Sequence, residues 1–96
     1  MSSNKEMATY VIEREAKGVG NSTPAELKAI SRESNSAIEE MGPGIQWIHS
    51  YVVGDKTYCV YKAMDKSIIN DHAEKVGAPA QSISKVSAII GPDTEK

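Results

Sequence analysis

The chain has 96 residues, one cysteine, two histidines and a formal net charge of −2. That length supports one modest core, and the small negative charge gives no general attraction for nucleic acid or anionic membranes. A single cysteine excludes an intrachain disulfide framework, and two histidines with one cysteine argue against a structural zinc site within one chain.

The polar segment 1–6 (MSSNKE) has no hydrophobic signal-peptide core and reads as a disordered extension, so a cytoplasmic protein is expected. Met7 to Glu15 contains β-formers with enough alternation for a strand, and Gly18-Val19-Gly20-Asn21 follows as a loop. Ser22 or Thr23 is placed to cap a helix, with Pro24 in its first turn and Glu26 as an early carboxylate. Leu27, Ile30, Ser34, Ile38 and Met41 then recur at helical spacing, and Gly42-Pro43-Gly44 stops the helix. Two β-rich runs flank Gly54-Asp55, a two-residue hairpin signal. Asp65 or Ser67 caps a second helix with Ile68, Ile69, His72, Ala73 and Val76 on its apolar side, ended by Gly77 and Pro79. Ser82 to Ile90 reads as the last strand of a single domain over 7–91, leaving 92–96 as a tail.

The hairpin carries most of the chemistry. Four of the five aromatics (Trp47, Tyr51, Tyr58, Tyr61), His49 and Cys59 lie between Ile45 and Met64. If Val53 pairs with Lys56, Tyr51 faces Tyr58, His49 faces Val60, and Trp47 faces Lys62. Trp47, His49, Tyr51 and Tyr58 then share one face, with Ile48, Val52, Cys59 and Tyr61 on the other. A one-residue slip would exchange those faces.

The element order βαββαβ is that of an α+β ferredoxin-like sandwich: an antiparallel four-stranded sheet with two helices on one face. The other face has no internal cover, and an exposed patch bearing aromatic rings calls for a ligand or a partner. A homodimer is the economical answer, because a two-fold axis lets one patch cover itself. Symmetry also doubles any metal ligands at such an interface.

Several runs carry a family resemblance: YVIERE, AELKAIS, MGPGIQWIHSYV, YCVYKA, HAEKVGAPA and ISKVSAII, from about Met7 to Pro92. They resemble the small domain-of-unknown-function 4242 family, whose members are often labelled nickel-binding proteins. The resemblance implies a ferredoxin-like subunit, a dimer, and surface binding of nickel in at least one relative. That family is also similar to the dimeric α+β barrel group, where sheet faces enclose a pocket.

Among individual residues, His49 is a candidate metal ligand or acid–base group in the aromatic pocket formed by Trp47, Tyr51 and Tyr58. His72 is a second candidate ligand, expected on the helix side and so across the sheet from His49, with Asp71 and Glu74 as neighbouring oxygens. A core histidine satisfied by hydrogen bonds is the competing reading. Either Glu13 or Arg14 must point to the open face or lie near a sheet end; Glu13 there would orient His49 or ligate a metal, or simply form an ion pair. Cys59 reads as a small buried hydrophobe. No Ser/His/Asp triad, CxxC element or phosphate-binding fingerprint is present. Three classes remain: a divalent-metal binder, with nickel implied by the resemblance; a cofactor-free enzyme of oxygenase or isomerase type; and a module whose open face only dimerises.

Overall fold

The computed structural model describes residues 7–96; the expected extension at 1–6 lies outside the described residues. The elements are β1 (Ala8–Glu15), α1 (Pro24–Met41), β2 (Ile45–Val53), β3 (Lys56–Ala63), α2 (Lys66–Lys75) and β4 (Ser82–Lys85), with 3-10 turns at Val19–Asn21 and Pro92–Glu95. The strands form one sheet in the order β2-β3-β1-β4, and every neighbouring pair is antiparallel. This is the expected ferredoxin-like topology.

Local chemistry explains the boundaries. Thr23 and Glu26 form a capping box at the start of α1, each side chain bonded to the other residue's backbone N–H. Asp65 caps α2: its Oδ1 accepts from the Ile68 N–H at 3.1 Å and from the Ser67 hydroxyl at 2.6 Å. Both helices pack on the face of the sheet that carries Tyr10, Ile12, Ile45, Cys59, Tyr61 and Ala63, and Ile69 of α2 completes this core. In β1, Tyr10, Ile12 and Arg14 point inwards, and Thr9, Val11 and Glu13 are only partly covered.

The hairpin pairs as expected from its turn back to His49: Val53 opposes Lys56, Tyr51 opposes Tyr58, and His49 opposes Val60. Beyond His49 the register shifts, and Trp47 opposes Tyr61 instead of Lys62. Ile48 is the extra residue of a β-bulge, and it turns Trp47 from the open face to the helix side. Trp47 packs against the core cluster, and its Nε1 donates to Ser50 Oγ at 2.9 Å. Ile48, expected under the helices, is exposed instead. Burying an indole of ~150–250 Å² with its N–H satisfied outweighs burying the smaller isoleucine.

The last strand is shorter than the expected Ser82 to Ile90. It ends at Lys85, followed by one further ladder bond from the Val86 N–H to Thr9 O at 2.8 Å. Ile89 and Ile90, expected in this strand, lie beyond it and are 84% and 79% exposed.

The 3-10 turn after β1 is fastened to the hairpin turn. The Gly20 N–H donates to Gly54 O and the Ala16 N–H to Asp55 O, both at 2.7 Å, while Asp55 Oδ1 accepts from the Gly18 N–H at 2.8 Å. A Cβ on Gly20 would lie 2.8 Å from the Gly54 carbonyl oxygen. Gly20→Ala should therefore lower the urea unfolding free energy by about 1–3 kcal/mol. It should also raise amide exchange in 16–21 and at the hairpin tip, which mass-spectrometric exchange would read; unchanged stability and exchange would rule out this docking.

Candidate functional site

The sheet has two chemically different faces. On the open face, cross-strand rows place Glu13, Tyr58 and Tyr51 in one line and Val11, Val60 and His49 in the next. His49 is exposed and meets Tyr51 edge-on, with ring centroids 5.0 Å apart. Tyr51 is 57% exposed, and Val53 and Ile48 add further apolar surface. His49, Tyr51 and Tyr58 therefore share the face assigned to them, while Trp47 leaves it through the bulge.

Glu13 also lies on this face, but it is paired elsewhere. Its carboxylate accepts from Lys56 Nζ at 2.6 Å, and that bond raises the lysine's pKa above its ordinary value. Two strand spacings and two residues separate Glu13 from His49, roughly 12 Å. Within one chain they do not meet.

On the helix side a buried polar cluster has formed. His72 is fully buried at 0% exposure; its Nε2 lies 3.3 Å from Ser34 Oγ of α1, and its ring tilts against Tyr61 at 5.2 Å. Ser34 Oγ also lies 3.5 Å from the Tyr61 hydroxyl. Arg14 reaches this layer from β1: its Nη1 donates to Cys59 Sγ at 3.8 Å, and its Cζ stands 6.0 Å from the Tyr61 ring centroid. His72 thus faces away from Asp71 and Glu74, which are exposed on α2. Among the described residues, no three His, Cys, Asp or Glu side chains group as metal donors.

The sequence reading isolated neither Arg14 nor Ser34 as part of a site. Both signals were present: Ser34 interrupts the apolar stripe of α1, and Arg14 continues the inward alternation after Tyr10 and Ile12.

Electrostatics follow from this burial. Desolvation pushes the Tyr61 phenol up. The His72 imidazole is pushed below its ordinary value, first by burial and then by the Arg14 charge, with the Ser34 hydrogen bond opposing both. A depressed folded-state value means that the unfolded chain takes up the proton first as pH falls. Stability contributed by neutral His72 is complete above the unfolded pKa of about 6.5 and is lost as pH drops towards the folded value. Stability from urea titrations should fall as pH drops from 7 to 5, with this one proton contributing at most ~1.4 kcal/mol per pH unit. His72→Gln should remove that component, and an unchanged slope in the variant would exclude His72 as its source.

Comparison with known proteins agrees with this architecture. None of the curated proteins matches the sequence. A similar solved structure is the crystal structure of SCO4226 from Streptomyces coelicolor A3(2), with a TM-score of 0.72 at 13% identity, covering 86% of this chain and 100% of that one. At that identity the likeness is one of fold. The model of the SCO4226-like family, described as "Nickel responsive protein SCO4226-like", matches residues 10–86, from the inward-facing Tyr10 to the last ladder bond at Val86. With most of its domain covered by that match, this chain belongs to the SCO4226-like family of nickel responsive proteins.

Proposed function

We propose that this protein is a cytoplasmic homodimer that binds a divalent transition metal, nickel by its family, on the open face of the sheet. The observation that carries this reading is the placement of His49. It is an exposed imidazole on a sheet face covered by neither helix, beside Tyr51 and Tyr58. Imidazole suits nickel as well as zinc and copper.

The donor set fits a metal only if it is shared. One copy supplies His49 on this face, with Glu13 held by Lys56 and the described residues offering no group of three donors. A two-fold axis through the open face brings a second His49 to the same region and covers Tyr51, Val53 and Ile48. The exposed Ile89 and Ile90 beyond β4 add apolar surface for the same association. His72 is left out of the site, because its ring is enclosed on the opposite side of the sheet.

Metal-free, tag-free protein titrated calorimetrically with nickel should bind at a fixed ratio per dimer, and copper should bind more tightly by the Irving–Williams order. His49→Ala should weaken nickel binding by about tenfold or more, the scale on which a lost donor or its support is felt, whereas His72→Gln should leave it unchanged. Nickel binding that survives His49→Ala intact would remove His49 from the site; a monomer in sedimentation with and without nickel would remove the shared-site reading.

A further inference from the structure

A cavity of about 370 Å³ lies between α1 and the helix side of the sheet, on the opposite face from His49. Its walls are largely apolar, with Val19, Leu27, Ile30, Trp47 and Val52 contributing, and Arg14, Tyr61, Cys59 and Ser34 add polar groups. Arg14 is only 8% exposed. Its Nη1 is spent on the Cys59 sulfur, a weak acceptor, while Nε and Nη2 are buried without a hydrogen-bond partner among the described residues. Those two donors form one edge of the guanidinium, the edge whose fork matches the two oxygens of a carboxylate.

A guanidinium cannot shed its proton to escape burial, so Arg14 holds a fixed positive charge with no ion-pair partner among the described residues. The face of Tyr61 offers only partial compensation. A pocket of this size, apolar-walled with one buried charged group and two exposed carboxylates at its border, has the form of a small-molecule site. We propose that the cavity binds a small amphipathic monocarboxylate with its apolar part against Leu27, Ile30 and Trp47; Arg14 borders the cavity with its Nε and Nη2 edge enclosed, and a swing of the side chain turns that edge to take the carboxylate in bidentate fashion. The charge state follows from the surroundings: there is one buried cation, and the carboxylates of Glu15 and Glu33 also border the cavity. A phosphate dianion would bring a second charge that Arg14 does not balance.

Trp47 is the only tryptophan of the chain and part of the cavity wall, so its fluorescence reports occupancy directly. The test titrates metal-free protein with octanoate, alongside octanol and octylamine as probes with the same tail and a different head. Octanoate should change Trp47 emission saturably and raise the melting temperature, and both controls should bind about tenfold more weakly or worse, the scale of a charge-assisted bidentate pair. Arg14→Met should weaken octanoate by at least about tenfold while leaving octanol unaffected, and Arg14→Lys should recover only part of the loss, since a point charge lacks the fork. If Arg14→Met fails to fold, the comparison of head groups on the unaltered protein still decides. The proposal is overturned by no saturable Trp47 response to octanoate, by equal binding of octanoate and octanol, or by undiminished binding in a folded Arg14→Met variant.

Discussion

The bulge at Ile48 is the constraint on which the two faces of this molecule depend. A strand alternates sides at every residue, so without an extra residue Trp47 and His49 would share a face. Opposing Trp47 to Tyr61 and leaving Ile48 unpaired lets β2 present an indole to the core and an imidazole to the outside within three residues. The cost is one exposed isoleucine and a local break in the ladder. The gain is a large aromatic under the helices whose N–H is satisfied by Ser50.

Both chemically distinctive regions follow from that choice. Outside, His49 stands among Tyr51, Val60 and Tyr58 on the sheet face that neither helix covers. Inside, Trp47 forms part of the wall of a cavity that also contains Arg14, Tyr61 and Cys59. The sheet separates the two, so His49 and His72 belong to different environments, one exposed and one enclosed. The fastening of the Val19–Asn21 turn to the hairpin tip matters for the same reason, because Val19 of that turn also lines the cavity.

The inner polar layer is energetically unusual for so small a domain. Arg14, His72, Tyr61 and Ser34 sit where Leu or Ile would be the simplest packing choice. Orphaned buried donors cost stability, more so when charged. Arg14 Nε and Nη2 and His72 Nδ1 are such donors or acceptors among the described residues. Such groups are candidates for a functional role, because packing alone gives no reason for them. The positive charge of Arg14 also acts on His72, reinforcing burial in favouring the neutral imidazole.

Much of this fold was readable from local signals. Thr23, Pro24 and Glu26 mark the start of α1, Gly54-Asp55 the hairpin turn, and Gly42 and Gly77, both with positive φ, the helix ends. These are contests between near neighbours, decided by propensity, capping and turn geometry. The pairing from Val53 to His49 follows from the turn alone, as does the placement of His49, Tyr51 and Tyr58 on one face. The rest depended on partners far along the chain. Whether Trp47 or Ile48 turns inwards is settled by what α1 and Tyr61 can enclose. That Arg14 goes in and Glu13 out follows from the alternation of β1 once Tyr10 and Ile12 are held in the core. The meeting of Arg14, Ser34, Tyr61 and His72, from four separate elements, is decided only when the helices close on the sheet, because burial and charge compensation belong to the packed molecule and to no local segment of its sequence.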